Sequence, residues 1–329
     1  MVYAAQLAAA LSAPSNVPVL RGMLRVPEPL PMAVYVPRRI RGRVLVLHGM
    51  NRRGIEEPRL HQLACALASV GLQVYVPRLP SVADLRFDVR SVDRVESVLN
   101  TLGPLGVIGV SFTGLVALNA AARVPEQVLS MALVGSTGRV RSVLCGLLDR
   151  DDADPYARAV VLENCLDLLG LPSPGLRAAF RAATSDECFE TSTLPRVLKV
   201  LGPSDRALFT AMQKDPSLRR DVSMRLAGMR LPWDGLEFGG GWLDFPVALI
   251  HGERDTVIPP EESDHLHTVL PNSVLCRTPL LDHGTLQSAG PLAVMSLISA
   301  LSRFLDPLYG FGSPGLGSVS AQEPSAINA

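Results

Sequence analysis

Neither sign of charge dominates this chain of 329 residues: 31 Lys and Arg are matched by 31 Asp and Glu. Without a net field, and without a basic block interleaved with aromatic residues, the sequence offers nothing to recruit nucleic acid or an anionic membrane surface. Cysteine is sparse as well. Cys65, Cys145, Cys165, Cys188 and Cys276 are odd in number, widely spaced and lack a C-x-x-C pair, which argues against both a disulfide framework and a zinc knuckle. Free, buried thiols in a reducing compartment are the expectation, and the cytoplasm fits it. The first 13 residues are alanine-rich, but they lack the basic residues that open a secretory signal. No glycine-rich phosphate loop and no internal repeat is present, so neither a cofactor nor a metal is expected. Long apolar runs are missing too. The uncharged stretch 97 to 122 is long enough to span a bilayer, but Asn100, Gly103, Pro104, Gly106, Gly109, Ser111, Thr113 and Gly114 interrupt it. A strand, a turn and a helix account for it better, and no membrane span is expected.

What the chain has is apolar material for a sizeable core, 47% of its residues, distributed in a β, α, β order. Residues 19 to 26 and 32 to 37 have the short, valine-rich, proline-bounded look of antiparallel strands. The run Val44, Leu45, Val46, Leu47 suits a strand covered on both faces, and a helix over 58 to 70 and a strand over 72 to 76 follow. Val92, Val95, Val98 and Leu99 share one helical face before the strand that leads to Ser111, and 128 to 135 is the next strand. This alternation predicts an α/β fold, a doubly wound and mostly parallel sheet with right-handed crossovers. Between 139 and 243 the pattern turns helical and is broken by Pro172, Pro174, Pro195, Pro203, Pro216 and Pro232. It resumes with a strand over 247 to 250, a helix near 261 to 270, a strand over 273 to 276 and a helix over 291 to 305. The chain thus divides into a core (1–138 and 244–306), an all-helical insertion (139–243) and a disordered tail (307–329) rich in Gly, Ser and Pro.

The stretch 104 to 123 reads as an apolar strand, an abrupt turn carrying Ser111 between Gly109 and Gly114, and an alanine-rich helix. A serine held on such a turn stands clear of the backbone with a helix N-terminus behind it. Its hydroxyl is a poor nucleophile by itself, and the idea therefore demands a base, a carboxylate and oxyanion donors. Of the six histidines, His48 and His251 end strands, and His61, His265 and His267 fall in helices. His283 sits in a loop just beyond the last strand. Asp255 follows the strand that ends at Ile250, on the edge of the sheet where such loops converge. Asp282 is a rival carboxylate, but adjacent side chains in an extended loop point apart, which favours Asp255. Asp264, His265 and His267 lack a third ligand at helical spacing and read as an exposed face. The oxyanion donors expected are the backbone amides of Phe112 and Met50.

His48-Gly49, the elbow around Ser111, His251-Gly252 through Asp255, and Asp282-His283-Gly284 together resemble an α/β-hydrolase fold serine hydrolase, esterase or lipase-like, with a helical cap. The resemblance covers residues 15 to 305. It implies a catalytic triad of Ser111, Asp255 and His283 acting on an ester, thioester or similar acyl bond of a small, partly apolar substrate, without a cofactor. Carbon–carbon bond hydrolysis and acyl transfer would use the same residues. Two departures stand out: Thr113 replaces the second glycine of G-x-S-x-G, and Arg78 stands where many relatives have aspartate. The missing glycine motivates a second reading, a non-catalytic binding protein on the same fold.

Overall fold

Strands that are apolar on both sides need cover on both faces, and this chain supplies it. The computed structural model describes residues 1–11, 17–283, 290–310 and 327–328. A helix α1 (Val2–Ala10) precedes β1 (Val19–Leu24), β2 (Leu30–Tyr35) and β3 (Gly42–Leu47). Then come α2 (Pro58–Ser69), β4 (Leu72–Pro77), the single turn α3 (Pro80–Ala83), α4 (Arg90–Leu102), β5 (Leu105–Val110), α5 (Phe112–Arg123) and β6 (Val128–Val134). Six helices follow without an intervening strand: α6 (Val140–Asp149), α7 (Pro155–Cys165), α8 (Pro174–Phe189), α9 (Leu194–Val200), α10 (Pro203–Lys214) and α11 (Pro216–Gly228). The chain returns to the sheet through β7 (Val247–Gly252), α12 (Glu261–Val269) and β8 (Ser273–Thr278), and closes with α13 (Pro291–Gly310) and the two-residue β9 (Ile327–Asn328).

The nine strands form one sheet in the order β8-β7-β6-β5-β3-β4-β2-β1-β9. From β8 to β4 every pairing is parallel, and β2 joins β4 and β1 antiparallel. The chain goes from β3 to β4 on one side and then to β5 on the other. This reversal opens a crevice at the strand ends between β3 and β5, the place where open α/β sheets bind ligands. Alternate side chains of β3 feed opposite cores: Leu45 and Leu47 meet α4 and α5 on one face, and Val44 and Val46 meet α1, α2 and α13 on the other.

Several local signals explain the element boundaries. The prolines that interrupt the helical segment are mostly starts: Pro155, Pro174, Pro203 and Pro216 each lie in the first turn of a helix, where the missing N–H costs nothing. Asp154 and Ser173 cap two of these helices, accepting from the N–H of Ala157 at 2.8 Å and Leu176 at 3.2 Å. The stretch 97 to 122 is the end of α4, all of β5 and most of α5. Among the described residues α13 is the one helix long and apolar enough to cross a bilayer, and its buried Leu301, Phe304 and Leu305 cover the sheet.

The last helix runs further than the sequence indicates. The composition places the start of a disordered segment at Pro307, but α13 runs through it to Gly310. The reason is packing: buried Leu308 lies against Gly42 and Gly106, and a Cβ on Gly106 would come within 2.7 Å of the Leu308 side chain. That burial offsets the helical hydrogen bond proline cannot make. Residues 311–326 and 329 lie outside the described part of the chain.

Candidate active site

Ser111 is the junction of β5 and α5, with φ 58° and ψ −132°. A positive φ at a residue with a Cβ is strained by about 1–3 kcal/mol and persists only where its surroundings enforce it. Here the Ser111 N–H donates to the Val134 carbonyl at 2.9 Å, and its own carbonyl accepts from the Gly114 N–H and the Ser136 hydroxyl, both at 3.0 Å. The tight packing that makes this elbow possible involves Gly109 and Gly114. A Cβ on Gly109 would lie 2.5 Å from the Gly114 Cα, and one on Gly114 would lie 2.2 Å from Ser136 Oγ. The close approach thus falls one residue beyond the usual second glycine.

Thr113 is fully buried at that usual position, and its hydroxyl is used. It lies 2.8 Å from the Val110 carbonyl and 3.2 Å from the Leu47 carbonyl, and it accepts from the Val110 N–H at 3.3 Å. The threonine therefore ties the elbow to the end of β3 as well as to β5.

Asp255 and His283, predicted from separate loops, meet. His283 Nδ1 is 2.8 Å from Asp255 Oδ2, and the other oxygen, Oδ1, accepts from the N–H groups of Val257 at 2.8 Å and Ile258 at 2.9 Å. Because a carboxylate only accepts, the shared hydrogen sits on Nδ1 and leaves Nε2 with a basic lone pair. Burial acts to raise the Asp255 carboxyl, but the His283 charge and the hydrogen bonds from His251 and His283 outweigh it and hold the group well below the usual carboxylate range. His251 Nε2 lies 3.4 Å from Asp255 Oδ2, and its two ring nitrogens face the Ile258 carbonyl and the Ser263 hydroxyl. Gly135, at φ 52°, keeps the end of β6 open to this pair, since a Cβ there would lie 3.3 Å from Asp255 Oδ2.

The loop after β3 completes the crevice. His48 is buried; its Nε2 accepts from the Leu79 N–H at 3.1 Å, so Nδ1 carries hydrogen and donates to the Gly49 carbonyl at 2.9 Å. Burial pulls the His48 pKa down to about 4, which keeps the imidazole neutral near pH 7. Phe112 is the first residue of α5, so its N–H has no partner inside the helix.

A cavity of 1190 Å³ has Ser111, Phe112, Met50 and His283 on its wall. Val140, Val143, Leu144, Leu147, Tyr156 and Val160 of α6 and α7 line it, together with the charged Arg254 and Glu187. Leu63 and Leu67 of α2 and Leu297 and Leu301 of α13, from the core on the other face of the sheet, are also among its lining residues. Ser111 and His283 face the same space without a hydrogen bond between them; catalytic hydrogen bonds often close only around substrate.

Some contributors carried no clear sequence signal. Gly135, the Leu79 N–H bond that sets the His48 tautomer and the seat of Thr113 depend on contacts between distant segments. Tyr156 belongs with them: its hydroxyl bonds the Met50 carbonyl across 106 positions.

A family model described as "Alpha/beta hydrolase family" matches residues 44–290. Among curated proteins, the chain is 29% identical over 249 residues to a pimeloyl-[acyl-carrier protein] methyl ester esterase from Chromobacterium violaceum, covering 73% of this chain and 86% of that one. Among solved structures it is similar to a 2-hydroxy-6-oxo-6-phenylhexa-2,4-dienoate hydrolase from Rhodococcus sp. strain RHA1, at 19% identity and TM-score 0.48, over 82% of this chain and 92% of that one. A dienelactone hydrolase from Anabaena variabilis matches with 16% identity and TM-score 0.48, over 88% and 97% of the two chains.

Proposed function

Because the chain belongs to the alpha/beta hydrolase family, we propose that it is a serine hydrolase that cleaves an ester or related acyl bond of a small, partly apolar substrate through an acyl-serine. Ser111 Oγ attacks the carbonyl carbon while His283 Nε2 takes its proton. Asp255 holds the imidazole in the Nδ1–H tautomer and stabilises the imidazolium. The amides of Phe112 and Met50 donate to the tetrahedral oxyanion. His283 then returns the proton to the leaving alcohol, and water, activated by the same base, releases the acid. The six helices between β6 and β7 serve as the cap that shapes the acyl site.

The observation that carries this reading is the 2.8 Å contact between Asp255 and His283, a histidine that shares a cavity wall with Ser111. An oxygen ester is favoured over a thioester because the curated relative is a methyl ester esterase. Weighing against the binding-only alternative is the seat of Thr113, which is accommodated by hydrogen bonds, with Gly114 taking the close packing.

Turnover of p-nitrophenyl esters of increasing acyl length tests the proposal. Ser111→Ala and His283→Ala should each lower kcat by at least about 10³-fold, and Asp255→Asn by roughly 10³ to 10⁴-fold. Turnover that survives Ser111→Ala would overturn it.

A further inference from the structure

Met50 lies between two peptide groups whose carbonyls are held from opposite parts of the protein. The Gly49 carbonyl, in the same peptide plane as the Met50 N–H, accepts from His48 Nδ1 at 2.9 Å. The next carbonyl, that of Met50 itself, accepts from the Tyr156 hydroxyl at 2.8 Å. His48 directly follows β3 of the sheet, whereas Tyr156 comes from α7 among the six helices between β6 and β7. The loop is tied to that insertion again just downstream. Arg52 donates to Thr184 Oγ1 at 3.1 Å, and Arg53 donates to the Cys188 carbonyl.

An N–H keeps its aim only as well as its peptide plane is held. The plane turns about the bonds on either side, and a hydrogen bond weakens steeply once its angle falls much below 150°. His48 restrains the plane directly; the bond to the Met50 carbonyl restrains the dihedral that would let it swing. The Tyr156 hydroxyl suits the task because the half-buried side chain sets it beside Cys188 Sγ, 3.4 Å away. Burial pushes its pKa far up, so it stays a donor at any working pH.

We propose that Tyr156 is a positioning residue through which the inserted helices set the oxyanion site: its hydroxyl holds the Met50 carbonyl so that the Met50 N–H points at the oxygen of the tetrahedral intermediate. This rests on the proposed role of Met50 as an oxyanion donor. The consequence is that the cap contributes to the chemical step as well as to substrate choice.

Tyr156→Phe keeps the ring on the cavity wall and removes only the hydroxyl. Losing an oxyanion donor outright costs about 10² to 10³-fold, and loosening one should cost less, so kcat on a p-nitrophenyl ester should fall roughly 5- to 20-fold. KM should stay within about twofold, because the interaction belongs to the transition state. An alkyl trifluoromethyl ketone, whose adduct places an oxyanion at the same spot, should lose affinity by the same factor as kcat/KM. A merely structural tyrosine would not link these two losses. If Tyr156→Phe folds poorly, 4-fluorophenylalanine at 156 fills the space without a donor and should show the same loss, and 4-aminophenylalanine restores a donor and should restore kcat. Wild-type kcat and ketone affinity in the donor-free variants, with hydrolysis still abolished by Ser111→Ala, would overturn this inference alone. Hydrolysis that persists in Ser111→Ala would instead overturn the reading on which it rests.

Discussion

Replacing Thr113 with valine removes one hydroxyl from the centre of the elbow and keeps the shape almost unchanged. The side chain is fully buried, and its oxygen contacts the Val110 carbonyl at 2.8 Å, the Leu47 carbonyl at 3.2 Å and the Val110 N–H at 3.3 Å. A hydroxyl has one hydrogen, so it gives up one good donor bond and one weaker accepted bond. Removing one partner of a buried bond leaves the other desolvated and costs about 1–3 kcal/mol. The extra methyl returns some of this by apolar burial, about 0.8 kcal/mol. A net loss of up to about 2 kcal/mol remains, which lowers the melting temperature of a chain this size by up to about 3 °C. Thr113→Ser keeps the hydroxyl and loses only a methyl, so it should hold ester turnover near the wild-type level, while Thr113→Val gives up the hydroxyl's hold on the Val110 and Leu47 carbonyls and lowers kcat several-fold. Thermal melts and p-nitrophenyl ester kinetics on the two variants make the comparison. Thr113→Val that is as stable and active as the parent would show that the hydroxyl does not hold the elbow.

Gly109→Ala forces a Cβ to within 2.5 Å of the Gly114 backbone and should cost about 3 kcal/mol or more, and denaturant titration should show the loss. Gly114→Ala collides instead with Ser136 Oγ at 2.2 Å, so Ser136→Gly should recover part of its stability. A lack of such recovery would misplace the clash. His48 contributes a pH dependence with a definite sign. Its folded pKa of about 4 lies below the ordinary 6.5, so its contribution is complete above pH 6.5 and is lost as pH falls toward 4, by about 3 kcal/mol in all. The stability difference between wild type and His48→Gln should shrink over that interval, and a difference independent of pH would contradict the buried neutral imidazole. Glu262 is buried and accepts from Thr137 at 2.6 Å, Ser142 at 2.9 Å and Arg139 at 2.7 Å, which fastens the start of α6 to α12. Glu262→Gln should destabilise by about 1–3 kcal/mol in chemical denaturation, because the Arg139 charge loses its partner.

The order of strands and the loops that bear Ser111, Asp255 and His283 were legible because each rests on local pattern: an apolar run, a turn, the residue just beyond it. The site details were not, because they depend on contacts between distant segments. The hydroxyl of Thr113 reaches a carbonyl 66 positions away, and that of Tyr156 reaches one 106 positions away. Local residue type alone suggested that Thr113 weakens the elbow, whereas the fold turns it into a tie. The prolines of the helical segment were visible as punctuation, but sequence alone marked them as breaks where caps such as Asp154 make them starts. Pro307 erred in the same direction, since only the burial of Leu308 against Gly42 and Gly106 shows why the helix continues.

The acyl-serine step is tested most directly by covalent labelling. Incubation with a fluorophosphonate followed by peptide mass mapping should find one adduct, on Ser111, with labelling abolished in Ser111→Ala and strongly slowed in His283→Ala. An unlabelled Ser111 in a folded protein that still hydrolyses esters, or a label that persists in Ser111→Ala, would contradict the account.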